Sequence, residues 1–228
     1  MFNFLRTKKV GLALSGGGTK GLAYIGVLKA FEELGLTFDA VCGTSAGSLF
    51  GAFIAQGYTS LQLTEIAKEV SKKDIKLNII PFTPSKTDGI QKLITENIGD
   101  INIQDMKTPF CAVAVNMKNG EEMHFRTGNL AKCVAGSCAV PIVFNPVEYN
   151  NMVLADGGLL NNVPANVLKL MGCDYVVAVD LDATRGSGTE SVKLFDQAMC
   201  AISIMMKSNS IKGKICADVL LTPNLKNI

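Results

Sequence analysis

Residues 10–21 read VGLALSGGGTKG, a short apolar run that ends in a cluster of glycines. The apolar run at residues 10–14 predicts a buried strand, because a strand covered on both faces is continuously hydrophobic. Residues 20–34 follow with the pattern of a helix, which Gly35 ends. A strand, a glycine-rich turn and a helix in this order predict the first unit of an α/β fold.

A second strand-to-helix unit follows at residues 39–56. Its turn, at residues 43–47, reads GTSAG and has the form G-x-S-x-G, the sharp turn that exposes a serine hydroxyl. Ser45 is therefore the candidate nucleophile, and Gly43 and Gly47 are the small neighbours that such a crowded turn needs. The helix that begins after Ser45 points the positive end of its dipole at the developing charge. The alternative is an ordinary strand, turn and helix whose small residues serve packing alone.

The rest of the chain alternates predicted strands and helices, with two hairpins. Asn119-Gly120 between apolar runs predicts that residues 110–117 and 121–126 pair as an antiparallel hairpin. A second predicted hairpin turns at residues 150–151. This alternation predicts a largely parallel sheet covered by helices, with antiparallel hairpins added, in a single domain of residues 1–228.

Composition and charge argue against several functional classes. The 228 residues carry a formal net charge of +2 and no dense stripe of basic and aromatic residues, so nucleic acid is not an expected partner. The seven cysteines are scattered and none forms C-x-x-C, which is typical of reduced core cysteines in a cytosolic protein. No metal site is expected, because His124 is the only histidine and no ligand spacing occurs.

The sequence is compatible with a cytoplasmic protein and with one that also contacts a membrane peripherally. The sequence predicts neither a secretory signal nor a membrane-spanning segment, so the expected location is the cytoplasm. Aromatic and basic residues at positions 1–9 suit peripheral contact with a lipid surface, and the alternative is a frayed lead into the first strand. An apolar loop at residues 79–82 is the candidate for part of the mouth of the site.

A serine hydroxyl needs a base to take its proton, and the sequence offers two candidates. His124 would complete a triad, but it precedes Asp156, whereas the α/β-hydrolase order is serine, acid, histidine. Asp156 is followed by Gly157 and Gly158, a turn that can project a carboxylate into a cleft. Desolvation beside the serine would raise its basicity. The alternative for Asp156 is a structural turn at the end of a strand.

The first glycine cluster has two interpretations. The backbone N–H groups of the Gly16-Gly17-Gly18 run are free of side-chain cover, which suits an oxyanion hole worth roughly 3–4 kcal/mol per donor. Lys20 is suited to attract an anionic head group. The same loop fits G-x-G-x-x-G ending at Gly21, with Asp39 near the spacing of a ribose-binding acid, which favours a dinucleotide-binding oxidoreductase. The second glycine turn directly after Asp39 argues against that interpretation.

Three motifs, taken in order, resemble the signatures of the patatin-like phospholipase family. They are the loop G-G-G-x-[KR]-G at residues 16–21, G-T-S-A-G at residues 43–47 and D-G-[GA] at residues 156–158. Residues 137–147 and 161–164 also resemble the segments that flank the aspartate in the family. The resemblance covers about residues 8–181 and is closest to compact bacterial members.

The resemblance implies a three-layer α/β/α sandwich around a mostly parallel, mixed sheet. It also implies a lipid acyl hydrolase that needs no metal or cofactor, in which Ser45 attacks the ester and Asp156 accepts its proton. The backbone from Gly16 to Gly18 would hold the oxyanion, and water would release the acyl-enzyme. The implied substrates are phospholipids or lysophospholipids at a membrane or micelle surface. A lipid-binding module that keeps the fold with little turnover is a further alternative.

Two departures from the family pattern precede Asp156. Many relatives carry Arg-Ala-Ser where this chain has Ala135-Gly136-Ser137, and a glycine where Ile142 lies. The departures leave Ser45 and Asp156 intact. We therefore expect them to affect the shape of the site and its head-group contacts.

Overall fold

The strands form one mixed sheet in a computed structural model that describes residues 8–72, 85–181 and 190–225. The strands of these residues are β1 (Val10–Leu14), β2 (Ala40–Thr44), β3 (Phe110–Asn116), β4 (Glu121–Phe125), β5 (Val147–Tyr149), β6 (Met152–Asp156), β7 (Tyr175–Val179) and β8 (Val219–Leu221). They pair in the order β5-β6-β3-β2-β1-β7-β8, and β4 also pairs with β3. The pairs that β1 makes with β2 and β7, β2 with β3, and β7 with β8 are parallel. The pairs that involve β4, β5 or β6 are antiparallel, so the sheet is mixed and mostly parallel, as predicted.

Helices cover both faces of this sheet. Among the described residues they are α1 (Ala23–Glu33), α2 (Ala46–Ala55), α3 (Ser60–Lys72), α4 (Asp88–Asn97), α5 (Leu130–Ser137), α6 (Ala165–Leu170), α7 (Leu194–Ser208) and α8 (Ile211–Cys216). Successive side chains of a strand point to opposite faces, so each central strand contributes to two cores. Leu12 and Leu14 pack in the core with α1, α2 and α5, while Ala13 packs in the core with α6. This burial on two sides explains why the strand sequences are continuously apolar.

Two helical segments differ from the sequence prediction. The helix predicted at residues 20–34 begins as a 3-10 turn at Gly18–Leu22, and α1 starts only at Ala23. Gly18, the first residue of that turn, has a φ of +57°, which is outside helix geometry. The sequence does not predict α8, which has only six residues and contains Gly213. That glycine is required by packing, since a Cβ there would lie 1.5 Å from the backbone oxygen of Val163. The apolar loop at residues 79–82 lies outside the described residues.

Strands β2 and β6 meet end to end along one edge of β3. β2 pairs with the first half of β3 and ends with Thr44 opposite Val113. β6 runs the other way, pairs with the second half of β3, and ends with Asp156 opposite Ala114. β4 occupies the opposite edge, because its pairing overlaps both of these halves. The carboxyl ends of β2 and β6 therefore face each other, which brings the residue after Thr44 next to Asp156.

Candidate active site

The turn after β2 holds Ser45 in a strained backbone conformation. Its φ is 53° and its ψ is −126°, a combination that residues other than glycine seldom adopt. α2 begins at Ala46, and the Ser45 side chain makes no capping hydrogen bond to it. The hydroxyl is therefore not committed to the helix. Strain of this kind persists only where surrounding contacts enforce it.

Backbone crowding explains the two glycines of this turn. A Cβ on Gly43 would lie 2.2 Å from the backbone oxygen of Gly47, and a Cβ on Gly47 would lie 2.1 Å from that of Leu14. No side chain fits at such distances. Gly43 and Gly47 are required because β1, β2 and α2 approach closely here, which agrees with the crowded turn predicted from the sequence.

Three buried side chains hold the backbone of Ser45. Its N–H donates to Oγ of Ser137 at 2.9 Å, and Ser137 donates in turn to the backbone oxygen of Val113 at 2.6 Å. The carbonyl oxygen of Ser45 accepts from Oγ of Ser48 at 2.8 Å and from Sγ of Cys138 at 3.2 Å. Both backbone polar groups of the strained residue are thus paired, and these bonds fix the turn.

Asp156 ends β6 inside the protein with one carboxyl oxygen unpaired. The side chain is fully buried, Oδ1 accepts from the N–H of Gly158 at 2.8 Å, and Oδ2 has no hydrogen-bond partner in the described residues. Burial raises the pKa of this carboxyl from its usual 3.8 to about 7, although the nearby Ser45 hydroxyl and the Gly158 N–H lower it. Among the described residues, Ser45 makes no hydrogen bond of ordinary geometry to Oδ2 of Asp156. The hydroxyl therefore lies near the carboxyl without a fixed hydrogen bond to it.

The glycine loop after β1 lies against Ser45. A Cβ on Gly16 would lie 3.2 Å from the Cβ of Ser45 and 2.4 Å from Oδ1 of Asn162. The N–H of Gly16 donates to the backbone oxygen of Asn162 at 3.2 Å, so this donor is already engaged. The N–H groups of Gly17 and Gly18 have no backbone acceptor within residues 8–72, 85–181 and 190–225. Of the three oxyanion donors predicted from the sequence, Gly17 and Gly18 are the two whose N–H groups have no backbone acceptor in these ranges, and the oxyanion role itself stays a prediction.

Lys20 and Gly21 shape the end of the same loop. The N–H of Lys20 donates to the backbone oxygen of Gly17 at 3.2 Å and closes the 3-10 turn. A Cβ on Gly21 would lie 2.9 Å from the Cβ of Ala46, the first residue of α2. The glycine therefore lets the loop pack directly on the helix that follows Ser45.

Gly157 and Gly158 let the turn after Asp156 pass close to its neighbours. A Cβ on Gly157 would lie 2.2 Å from the backbone oxygen of Val113, and one on Gly158 would lie 2.2 Å from Cε of Met206. The first contact seats the turn on β3, and the second brings α7 over it. The three glycine motifs of the sequence thus converge at the junction of β2 and β6.

His124 and Asp39, which would support a catalytic triad and a dinucleotide site, lie away from the junction of β2 and β6. His124 is on β4, along the opposite edge of β3, where its Nε2 lies 2.6 Å from Oε1 of Glu122. Asp39 precedes β2, and its Oδ2 accepts from the N–H of Val10 at the amino end of β1. The glycine loop follows the opposite, carboxyl end of β1. A ribose-binding acid belongs at the carboxyl end of its strand, so Asp39 does not support the dinucleotide interpretation.

The cysteines are thiols rather than disulfides. None of the seven forms a disulfide, and five of them are buried, which agrees with the core cysteines expected from the sequence. Burial raises the pKa of the Cys133 thiol to about 12 and also raises the pKa of the Cys138 thiol, so both stay protonated. Among the described residues, no group of three or more His, Cys, Asp or Glu could hold a metal ion. No helix in those ranges is both long and apolar enough to cross a membrane.

All three motifs lie within the region that a known family model matches. The model is that of patatin-like phospholipase, and it matches residues 12–169, more than half of the chain. The chain belongs to the patatin-like phospholipase family. The three motifs of this sequence are therefore motifs of a member of that family. This membership argues against the dinucleotide-binding oxidoreductase interpretation of the first glycine loop.

Curated relatives of this patatin-like chain are longer proteins. An uncharacterised NTE family protein of Mycobacterium tuberculosis is 32% identical over 180 residues, which are 78% of this chain and 31% of the relative. Lysophospholipase NTE1 of Meyerozyma guilliermondii is 31% identical over 188 residues, which are 78% of this chain and 13% of the relative. The chain thus spans less than a third of the length of these relatives.

The patatin-like fold also has a counterpart among solved structures. VipD from Legionella pneumophila matches with a TM-score of 0.55 and 19% identity, over 85% of this chain and 52% of VipD. At this identity the likeness concerns the fold alone. It agrees with the sandwich around a mixed sheet that the sequence predicts.

Two departures from the patatin-like pattern alter the segment before Asp156. Ile142 has a φ of +73°, in the left-handed region that favours the glycine of many family members. Gly136 lets α5 approach β6, since a Cβ there would lie 2.8 Å from Cδ1 of Leu154. The segment reaches the aspartate directly, because the N–H of Asp156 donates to the backbone oxygen of Ala139 at 2.9 Å. The segment that carries both departures is therefore bonded to the backbone of Asp156.

Two residues of the site have no signal of their own in the sequence. Ser137 and Asn162 lie in segments that resemble the patatin-like pattern, but a single serine or asparagine has no spacing that marks it as functional. Their positions beside Ser45 are visible only from long-range contacts.

Proposed function

We propose that the protein is a serine acyl hydrolase that cleaves carboxylic ester bonds of lipids through Ser45 and Asp156. The observation that supports this most directly is the meeting of the Ser45 turn and Asp156 at one edge of β3, with the buried carboxyl near the hydroxyl. Membership of the patatin-like phospholipase family supports lipid ester chemistry. A relative named lysophospholipase points to phospholipids or lysophospholipids as the substrate class.

The first half of the proposed reaction transfers the acyl group to Ser45. Its Oγ attacks the ester carbonyl carbon while its proton passes to Asp156. The carbonyl oxygen becomes an oxyanion, which the N–H groups of Gly17 and Gly18 and the dipole of α2 stabilise. When the bond from the acyl carbon to the alcohol oxygen breaks, the departing oxygen takes the proton from Asp156.

The second half of the reaction restores the free serine. Water attacks the acyl carbon on Ser45 and gives a proton to Asp156, and a second oxyanion forms at the same donors. The bond between the acyl carbon and Oγ then breaks, and Oγ recovers the proton from Asp156 as the fatty acid leaves. Every proton passes through one carboxyl group, so this route does not require His124.

The raised pKa of Asp156 suits it to this role. A carboxylate with the usual pKa of 3.8 is a weak base, whereas burial raises the pKa of Asp156 to about 7. Its unpaired Oδ2 offers an acceptor for the serine proton. Transfer of the proton in both directions is then efficient near neutral pH.

Labelling with a fluorophosphonate probe tests the nucleophile. We expect the wild type to form an adduct on Ser45 and to hydrolyse a chromogenic ester with an initial burst, and Ser45→Ala to lose both. Ser60→Ala is a matched control, because Ser60 is a buried serine that bonds Glu32 away from the site. Labelling and turnover that survive in Ser45→Ala would contradict the proposal. A binding module without turnover would give neither the burst nor a steady rate.

A lipid surface is the proposed partner, since the substrates lie in membranes or micelles. α7 covers the turn after Asp156, where Nδ2 of Asn209 donates to the backbone oxygen of Leu159 at 2.5 Å. The exposed apolar side chains of α7 and the following α8 include Leu194, Ile204, Met205, Ile211 and Ile215. Exposed apolar side chains next to a site for lipid esters favour contact with a lipid surface.

Co-sedimentation with phospholipid vesicles tests this contact. We expect the double variant Ile204→Glu/Ile211→Glu to bind vesicles less and to hydrolyse vesicular lipid more slowly, with unchanged hydrolysis of a soluble ester. Leu61→Glu is the control, because Leu61 is 78% exposed on α3, in the layer over the other face of the sheet. An equal loss in the control, or no loss in the double variant, would place the contact elsewhere.

A further inference from the structure

Asn162 has a buried side chain whose amide forms no hydrogen bond within the part of the chain that the structure describes. It is fully buried, yet neither Oδ1 nor Nδ2 is bonded to a described residue. Burying an unpaired polar group costs free energy, so such groups are rare in folded proteins. The neighbouring Asn161 is satisfied at one end, since its Nδ2 donates to Glu122 and Asn166 while its Oδ1 has no partner in the described residues. The unpaired amide of Asn162 therefore calls for a functional explanation.

The amide of Asn162 lies among the proposed reacting groups. A Cβ on Gly16 would lie 2.4 Å from its Oδ1 and 3.2 Å from the Cβ of Ser45, so both side chains flank the same point of the glycine loop. A Cβ on Gly158 would lie 2.9 Å from the same Oδ1 and 3.1 Å from Oδ1 of Asp156. The amide is thus placed between the glycine loop and the Asp156 turn, beside the serine.

Two contacts of the backbone fix Asn162 in this place. Its carbonyl oxygen accepts from the N–H of Gly16 at 3.2 Å. The carbonyl oxygen of the preceding residue, Asn161, accepts from Oγ1 of Thr44 at 2.9 Å. The backbone of residues 161 and 162 is thereby tied to the glycine loop and to the strand that leads into Ser45. The amide stays beside the site without any bond of its own.

We propose that the carboxamide of Asn162 donates an N–H to the oxyanion that forms when Ser45 attacks, an inference that rests on the function proposed above. It is a third donor beside the N–H groups of Gly17 and Gly18. A donor that is unpaired in the resting protein and gains a partner as charge develops stabilises the transition state more than the ground state. Neither end of the amide holds a bond, so its nitrogen can turn toward the substrate without breaking one. Because the N–H of Gly16 is engaged, the side chain supplies the donor that the loop lacks.

Asn162→Leu tests this role, because leucine is similar in volume and has no hydrogen-bonding group. We expect kcat for a soluble chromogenic ester to fall about 100-fold and KM to change less than about threefold. The acidic limb of the pH profile of kcat/KM stays in place, since Asp156 is untouched. The melting temperature does not fall, because the variant removes an unpaired buried group.

Asn116→Leu is the matched control. Asn116 is a buried asparagine at the end of β3, and its Oδ1 accepts from the N–H groups of Lys118 and Val153. Its loss leaves those N–H groups without their partner, so we expect a lower melting temperature and an unchanged kcat. Asn162→Leu is thus expected to lower kcat and keep the melting temperature, whereas Asn116→Leu is expected to lower the melting temperature and keep kcat.

Asn162→Ser and Asn162→Ala form a second pair that does not depend on how leucine packs. Serine keeps a small donor at this position and alanine keeps none, so we expect kcat to be about tenfold higher for Asn162→Ser. Equal values of kcat in the two folded variants would overturn the inference. A loss of rate together with a shifted acidic limb would also overturn it, because Asn162 would then act through Asp156.

The outcomes separate this inference from the proposed function. If Ser45→Ala abolishes labelling and turnover while Asn162→Leu keeps the kcat of the wild type, the oxyanion role is overturned and the hydrolase proposal stands. A lower melting temperature with unchanged kcat in Asn162→Leu would show that Asn162 has a structural role, and would also overturn the oxyanion role. A fall in kcat with constant KM, pH profile and stability supports it.

Discussion

The backbone N–H of Ser45 donates a hydrogen bond to the side chain of Ser137, which lies 92 residues later in the chain. The hydroxyl of Ser137 donates in turn to the backbone oxygen of Val113, so one side chain joins the strained turn, α5 and β3. The φ of 53° at Ser45 is therefore held from outside the turn. Removing this contact should release the turn and misplace the hydroxyl.

Ser137→Ala tests the effect of that contact. The variant leaves the N–H of Ser45 and the oxygen of Val113 without their partner, so we expect the free energy of unfolding to fall by about 1–3 kcal/mol. We expect kcat to fall at least about tenfold, because the nucleophile loses its placement. Urea unfolding and hydrolysis of a chromogenic ester measure the two effects. Ser60→Ala should lose stability and keep its kcat, and an equal kcat in both variants would show that Ser137 does not position the serine.

The pH dependence of activity follows from the raised pKa of Asp156. The carboxyl must be ionised to accept the serine proton, and burial raises its pKa to about 7. We therefore expect kcat/KM to rise as the pH increases through about 7 and to stay level above it. Initial rates with a neutral soluble ester from pH 5 to pH 9 measure the profile. An acidic limb near pH 4 would indicate that the base is a carboxylate with an ordinary pKa.

The same carboxyl makes the stability of the fold depend on pH. Between its usual pKa of 3.8 and the folded value of about 7, the folded state holds a proton that the unfolded chain has released. Raising the pH across this window therefore destabilises the fold, by up to about 4 kcal/mol. Asp156→Asn cannot titrate, so its stability relative to the wild type should increase from pH 4 to pH 7 while its activity is lost. Urea unfolding of both proteins at several pH values measures the difference, and parallel pH dependence would contradict it.

Ile142 is a β-branched residue in the left-handed region, and we expect glycine to be better tolerated there than at the next position. The φ of +73° costs about 1–2 kcal/mol for a residue with a Cβ, and glycine relieves that strain. Val143 is also half-buried, and its φ is not positive. The free energy of unfolding of Ile142→Gly should exceed that of Val143→Gly by about 1–2 kcal/mol in urea unfolding. Equal losses in the two variants would mean that Ile142 carries no strain.

Two glycine-to-alanine variants should have opposite effects on stability. A Cβ on Gly43 would lie 2.2 Å from the backbone oxygen of Gly47, so Gly43→Ala should cost at least about 3 kcal/mol or prevent folding. Gly26 is an exposed residue of α1, and a Cβ there would meet nothing within 4 Å. Gly26→Ala should therefore stabilise the protein by about 0.5–1 kcal/mol. Thermal unfolding measures both, and a mild effect of Gly43→Ala would contradict the close approach of backbones at the turn.

Local patterns in the sequence predict much of the fold. Continuous apolar runs predict the buried strands, and Asn119-Gly120 predicts the hairpin of β3 and β4 that the structure contains. The sequence does not predict the short helix α8, because Gly213 is a poor helix former. Glycine is required there because any side chain would overlap the backbone of Val163. The turn at Gly18–Leu22 differs from the predicted helix for a similar reason, since glycine permits a conformation that no local pattern specifies.

The candidate site is predicted in part. Glycines mark Ser45 and Asp156 in the sequence, because sharp turns need residues without side chains. The bond from the N–H of Gly16 to the Asn162 carbonyl and the bond from Ser45 to Ser137 join distant segments of the chain. Such contacts form only when the whole sheet is assembled, so no local sequence pattern predicts them.

The end-to-end meeting of β2 and β6 also has a consequence for the kinetics of folding. The hydroxyl of Ser45 and the carboxyl of Asp156 are brought together by the pairing of β3 with both strands. Pairings between distant parts of a chain are slow to form, so reactivity toward a fluorophosphonate should be among the last properties recovered during refolding. An intermediate with β1 and β2 in place and β6 still unpaired would contain the serine turn and remain inert. A site assembled in this way should stay unreactive until the chain has finished folding.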